Sequence, residues 1–234
     1  FNLIEGDIRN INDCNKACKD IDYVLHQAAL GSVPRSVKDP KTTNDVNISG
    51  FLNMLIACTD NNVKRFIFAA SSSTYGDSNT LPKVEDKIGN PLSPYAITKY
   101  VNELYAKIFN DLYGLEYIGL RYFNVFGRRQ DANSTYAAVI PKWLNALMTK
   151  KSVTIYGDGN TTRDFSHVDN VIEANLRAGL VDNGDAKGQV YNIALNQKTS
   201  LNELLEMIQS YLSRKYDYKI ESLPKYEDFR DGDI

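Results

Sequence analysis

Short apolar runs alternate along this chain with longer stretches whose apolar residues recur every three or four positions. The short runs predict strands at Asn2–Glu5, Tyr23–Gln27, Arg65–Ala70, Tyr117–Phe123 and Gln189–Ala194. The longer stretches predict helices near Asn12–Lys19, near Thr42–Asp60, from Pro94 to Tyr113 and over Val168–Leu180. Strand and helix in alternation favour a parallel sheet with helices on its faces, an α/β fold. Beyond Gly127 the pattern loosens. A helix near Tyr136–Thr149, a strand at Val153–Tyr156, a Gly157-Asp158-Gly159 turn and an amphipathic helix over Leu201–Arg214 suggest a smaller appended domain. There are no internal repeats and no low-complexity linker.

Candidate chemistry gathers at Ser93-Pro94-Tyr95-Ala96-Ile97-Thr98-Lys99. Ser93 suits an N-cap, and Pro94 suits a first helical turn, where its missing N–H costs nothing. Residues four apart share a helical face, so the Tyr95 phenol and the Lys99 ammonium can reach one site. A neighbouring cation favours the phenolate, which would bring a tyrosine down toward the working range of a general base. Ile97, Val101, Leu104 and Ile108 fall on the opposite side, where the pattern expects a core. Spacing alone carries little, because Tyr211 and Lys215 repeat it in a helix whose reading is a solvated or packing face. Context separates the two pairs. The apolar strand Arg65–Ala70 runs into Ser71-Ser72-Ser73-Thr74-Tyr75-Gly76, and hydroxyls at the carboxyl end of a buried strand sit where open α/β sheets bind ligands.

Composition narrows the class. The 234 residues are 43% hydrophobic and 24% charged, as in a globular protein, with room for one sizeable core or a large domain and a smaller one. A formal charge of −2 argues against a broad nucleic-acid footprint, and no apolar run is long enough to span a membrane. Cys14, Cys18 and Cys58 form no disulfide framework, so reduced thiols in a cytoplasmic protein are expected. His26 and His167 lie far from the cysteines in sequence, so no metal site is expected.

These pieces resemble the extended short-chain dehydrogenase/reductase family, in particular the nucleotide-sugar epimerases, among them the UDP-N-acetylglucosamine 4-epimerases of bacterial O-antigen and capsule synthesis. The resemblance rests on Gly6–Arg9, His26–Ala29, Gly31–Ser36, Ser71–Gly76, Ser93–Glu103, Arg121–Arg129 and Thr162–Phe165, in this order. It implies a Rossmann-like doubly wound parallel sheet, with residues 1–127 and about 166–196 binding NAD, and 128–165 with 197–234 binding the nucleotide sugar. It implies oxidation and re-reduction at one sugar carbon. Tyr95 would take the proton of the C4 hydroxyl while the C4 hydride passes to NAD, and the 4-keto sugar would turn over and be reduced on its other face. Lys99 would keep Tyr95 acidic and bond the nicotinamide ribose; Ser71 and Ser72 would contact the reacting hydroxyl. Asp7, Ile8, Gln27, Ala28, Ala29 and Tyr122 would join Tyr95 and Lys99 around the cofactor. Ser32, Arg35, Ser72, Ser73, Asn124, Val139, Tyr156, Arg163, Arg230 and Asp233 would line the substrate. A homodimer through helices 42–60 and 94–113 is also implied.

The chain departs from that family in two places. The glycine-rich turn that cradles the cofactor pyrophosphate is absent, as is the residue that reads the adenosine ribose. Asn2–Glu5 matches the third family strand, so two strand–helix units are expected before Phe1, and a fragment binding NAD poorly on its own is expected. Buried backbone groups left without partners cost about 1–3 kcal/mol each. At the other end the sequence stops short of the position whose bulk admits or excludes an N-acetyl group. The uronic acid forms of the acetamido sugars are equally open as substrate, and the alternatives are a UDP-glucose 4-epimerase, a sugar-nucleotide 4,6-dehydratase and an inactive nucleotide-binding fragment. The dehydratase needs an acidic pair where this chain has Ser72-Ser73, which cannot do that acid–base work.

Overall fold

A computed structural model of the chain describes residues 1–134, 137–216 and 223–229. It divides into two compact units, one of residues 1–123 with 169–193 and one of residues 124–168 with 194–234.

In the first unit, α1 (Ile11–Cys18) starts at an Asn10 cap and leads to β1 (Tyr23–His26). Then come α2 (Val33–Lys38) and a single helical rod made of α3 (Pro40–Asn44), a π-helical turn at Asp45–Gly50 and α4 (Phe51–Asp60). Next are β2 (Arg65–Ser71), α5 (Pro94–Tyr113) and β3 (Glu116–Tyr122). After the excursion through the second unit, α7 (Val168–Leu180) and β6 (Gln189–Ile193) complete the sheet, whose order β1-β2-β3-β6 is parallel throughout. Apolar residues cover both faces. Phe51, Leu55, Phe66, Phe68, Ala106 and Phe109 pack one side. Ile67, Ile118, Leu120 and Ala178 pack the other. Burial on both faces explains why β2 and β3 read as continuous apolar runs.

In the second unit, α6 (Val139–Met148) and α8 (Leu201–Tyr216) bury Trp143, Leu147, Leu204, Leu205, Ile208 and Leu212 against Val153 and Ile155. Two small sheets accompany them. β4 (Thr154–Tyr156) pairs in parallel with β8 (Lys225–Glu227), and β5 (Thr162–Arg163) pairs antiparallel with β7 (Thr199–Ser200).

Three expectations change. Asn2–Glu5 is exposed and forms no strand; a strand needs a neighbour for its N–H and C=O groups, and no described strand lies beside it. The rod expected from Thr42 begins at Pro40, behind an Asp39 cap, and carries the π turn within it. On α5, Ile97, Leu104 and Ile108 are 50%, 48% and 48% exposed and do not enter the core. The buried face of α5 holds Ala96, Thr98, Lys99, Asn102, Glu103, Ala106 and Phe109 instead, because small and polar residues let the helix lie close to β2 and β3.

Candidate active site

The carboxyl ends of β2 and β3 lie level, with Ser71 beside Tyr122 in the ladder, while β1 ends three residues earlier, with His26 beside Phe68. Ser71 ends β2 and caps the short 3-10 turn Ser72–Tyr75 by accepting from the Ser73 N–H at 3.2 Å; the Ser73 hydroxyl also bonds Ser71 Oγ at 2.9 Å. The turn closes on Gly76, whose φ is +50° and where any Cβ would collide with the Asn90 carbonyl, so the position has no room for a side chain.

α5 begins over these strand ends. Ser93 Oγ accepts from the Ala96 N–H at 3.1 Å and Pro94 occupies the first turn, as the sequence predicts; Gly114 closes the other end in the left-handed region. Tyr95 and Lys99 face the sheet. Lys99 is buried, its Nζ donates to the Ala69 carbonyl at 2.8 Å and it lies 5.9 Å from the Tyr95 ring centre. Burial pulls the ammonium down to about 8. Burial also pushes the Tyr95 phenol above its ordinary value, partly offset by a hydrogen bond to Ser71. This corrects the sequence-based expectation. Desolvation outweighs the ammonium, which turns toward Ala69, so the phenol moves up and not down. Beneath them His26 stacks on Phe66 at 5.4 Å; burial, then the Lys99 charge, drive its imidazole down to about 3, so it is neutral.

At the other side of the strand ends, three polar side chains close a ring. Tyr122 Oη donates to Gln27 Oε1 at 3.2 Å, Gln27 Nε2 to Asn175 Oδ1 at 3.1 Å, and Asn175 Nδ2 to Tyr122 Oη at 2.8 Å. Ala28 and Ala29 follow Gln27 with small side chains. Ser32 sits at φ +104° and caps α2, accepting from the Arg35 N–H at 3.3 Å. Asp7 is engaged at the surface. The Arg9 guanidinium grips its carboxylate at 2.6 Å and holds it down near about 2. Ile8 packs partly buried against the core.

Four more residues named from the sequence belong to the second unit. Asn124 donates to the Asp164 carbonyl at 3.1 Å, Val139 packs on the Trp143 cluster, Tyr156 ends β4 and Arg163 ends β5. Arg230 and Asp233 lie outside the described residues.

Sequence reasoning missed several supporting groups. Asn47, in the π turn, bonds both the N–H and the C=O of Leu30 and reaches the Thr98 hydroxyl. Asn175 breaks the apolar face of α7 between Val171 and Ala178, and that polar interruption was the available signal. Glu103, one turn beyond Lys99, forms a buried two-point pair with Arg121 at 2.7 and 2.9 Å. Arg121 also bonds the Glu85 carbonyl and lies over the Tyr75 ring, whose hydroxyl donates to Asn192 at 2.7 Å.

A parallel α/β unit with hydroxyls, a phenol and a buried ammonium at its strand ends has the build of a nucleotide-dependent enzyme acting on an alcohol. Residues 1–194 match the NAD dependent epimerase/dehydratase family, and the chain belongs to it. A predicted UDP-glucose 4-epimerase of Methanocaldococcus jannaschii is 39% identical over 99% of this chain and 73% of its own length. The UDP-N-acetylglucosamine 4-epimerase of Methanobrevibacter ruminantium, solved with UDP-N-acetylmuramic acid, superposes with a TM-score of 0.89 at 44% identity, over 99% of this chain and 71% of that one. The UDP-glucose 4-epimerase of Thermus thermophilus, solved with NAD, gives 0.86 at 28% identity, over 99% and 73%. Among the described residues no group of histidine, cysteine and carboxylate side chains could hold a metal ion, and no helix is long and apolar enough to cross a membrane.

Proposed function

We propose that this protein inverts C4 of a UDP-hexose, with UDP-N-acetylglucosamine the preferred substrate and UDP-N-acetylgalactosamine the product. The observation that carries this reading is the half-buried Tyr95 and the buried Lys99 on one face of α5, with Ser71 beside the phenol at the strand ends. The donor set suits NAD. The Lys99 ammonium has three N–H bonds and spends one on Ala69, which leaves two for the vicinal hydroxyls of a ribose. Gln27 and the small Ala28 and Ala29 offer an amide and a flat approach beside it. NAD, when bound, supplies reversible oxidation of the sugar carbon.

The chain's own residues do the rest. Tyr95, as the phenolate, takes the C4 hydroxyl proton on Oη and returns it to the C4 oxygen once the sugar has turned over and the hydride comes back on the other face. Ser71, next to the phenol, holds that oxygen in reach, and Ser72 follows it in the turn. Lys99 stabilises the phenolate that receives this proton, and its lowered pKa makes its own proton easy to shift. Ser32, Arg35, Ser73, Asn124, Val139, Tyr156, Arg163, Arg230 and Asp233 are proposed to hold the sugar nucleotide, the arginines through forked bonds to phosphate. The acetamido preference draws on the 44% identity to the Methanobrevibacter enzyme; the Methanocaldococcus relative favours UDP-glucose as second substrate. The Ser72-Ser73 pair disfavours a dehydratase.

Incubation with NAD and either sugar nucleotide, followed by proton NMR of the anomeric region, separates these readings. Faster appearance of the galacto epimer from the acetamido sugar is expected. Faster turnover of UDP-glucose would transfer the preference, and no epimer from either would remove the activity.

A homodimer through α3–α4 and α5 is part of the proposal. Ile97, Leu104, Ile108 and Leu112 form an exposed apolar stripe along α5, of a kind that marks an interface. Light scattering should give twice the monomer mass, and Leu104→Glu should halve it.

A further inference from the structure

The nucleophiles that the proposed reaction leaves unused are the three thiols, all buried in the first unit. Cys14, on α1, donates to the Ile8 carbonyl at 3.2 Å and has no sulfur partner. Cys18 ends α1, Cys58 lies in the last turn of α4, and the two share an S–H···S hydrogen bond of 3.8 Å across 40 residues of chain. We propose that Cys18 and Cys58 form a modification site: a thiol pair that a peroxide converts to an intramolecular disulfide tying α1 to α4.

Three observations support it. The sulfurs need to close by only about 2 Å to reach bonding distance, a movement within the range of side-chain rotation. Both cysteines stand in the final turn of a helix, where local opening is least costly. Cys58 also lines, with Thr59, Asn62, Val63, Arg65 and Glu116, a cavity of about 520 Å³. That cavity sits at the amino-terminal end of the strands, remote from Tyr95, and brings a small oxidant up to the Cys58 side of the pair, from which local opening of the two helix ends exposes the fully buried Cys18. The shared hydrogen bond also favours the Cys18 thiolate over that of Cys58.

The chemistry balances with peroxide as the only co-reactant. The Cys18 thiolate attacks one peroxide oxygen, the O–O bond breaks, and Cys18 becomes a sulfenic acid as hydroxide leaves. The Cys58 sulfur then attacks the Cys18 sulfur, the S–O bond breaks, and water departs with the Cys58 proton. Two thiols lose two electrons and peroxide becomes two waters.

Hydrogen peroxide treatment of the folded chain, then alkylation in denaturant and mass spectrometry, tests this. One alkyl group is expected where the untreated chain takes three, with a mass about 2 Da lower before alkylation. Tryptic peptide Ala17–Lys19 should be joined to Thr42–Lys64, and Asn10–Lys16 should carry alkylated Cys14. Cys18→Ser should abolish the link, and Cys14→Ser should keep it. Three alkylated thiols after treatment, a link through Cys14, or a sulfinic acid at either member of the pair would overturn the proposal. Because the readout is a mass and not turnover, it stands or falls separately from the epimerase reading.

Discussion

Tyr95 and Lys99 on α5 and Tyr211 and Lys215 on α8 have the same spacing, and both helices open with a serine cap. At α8 the cap is reciprocal, with Ser200 and Glu203 bonding each other's backbone N–H. The pairs nevertheless differ in almost every physical respect. Lys215 is exposed and donates directly to Tyr211 Oη at 2.8 Å, a contact that raises its pKa. Lys99 is buried, bonds a backbone carbonyl and is lowered. On α8 the two side chains pair with each other on an exposed face, away from any strand end. On α5 the ammonium is held without its natural partner, and the phenol is held beside a serine at the end of a strand. Spacing brings the two side chains together; burial at the strand ends makes them reactive.

The strongest way to break this contrast is at the phenols. Tyr95→Phe should lower epimerase turnover on the order of 10³-fold, and Tyr211→Phe should leave it within about twofold, since exposed substitutions matter little. Equal losses, measured by NMR under saturating substrate, would erase the distinction. Next is the anchoring of the helices. Arg121→Met strands Glu103 in the buried face of α5 and should cost about 3–5 kcal/mol in urea unfolding. Among the described residues no charge is buried beneath α8, whose inner face is Leu204, Leu205, Ile208 and Leu212, so Lys215→Met should cost less than about 0.5 kcal/mol.

Proton linkage sharpens it further. The folded chain holds Lys99 near about 8 against 10.5 unfolded, so the unfolded state binds more protons between those values. Stability should therefore rise as pH increases above about 8, by a total of about 3 kcal/mol from this group. Above pH 10 the raised phenol of Tyr95 works the opposite way, and from about pH 9 so do the raised thiols of Cys14 and Cys58, so the Lys99 contribution is read as the difference between the parent and Lys99→Met over pH 8 to 9.5. Lys99→Met should flatten the rise in urea midpoints across it; a Lys99→Met slope equal to the parent's would mean the ammonium is solvated. The smallest effect is expected at the cap. Ser93→Ala should cost about 1 kcal/mol, measured the same way, with a small fall in turnover as Tyr95 loosens.

Much of the fold is legible in the sequence because β2 and β3 are buried on both faces and so are written as unbroken apolar runs. The start of α5 is legible because a cap and a proline act through their immediate neighbours. What could not be read depends on distant partners. Asn2–Glu5 has the residues of a strand, but a strand is a relation between two segments, and that relation is missing among the described residues. Ile97, Leu104 and Ile108 have the spacing of a core face, yet α5 turns its small and polar side toward the sheet, so periodicity found the stripe and misjudged where it points. The pKa of Tyr95 depends on how deeply the helix sits, which no local pattern records. The Glu103–Arg121 pair is invisible for the same reason, since helix and strand contribute one charge each.

Leu30 lies in the loop after β1, where no neighbouring strand takes up its main-chain groups. Asn47 supplies what a strand would, one side-chain amide answering both the N–H and the C=O at 2.8 and 3.1 Å. Deuterium should therefore enter the Leu30 amide about as slowly as it enters β1, although ordinary loop amides label at once. With Asn47→Ala that slow site should become fast while β1 keeps its protection, turning a single asparagine into a measurable substitute for a rung of sheet.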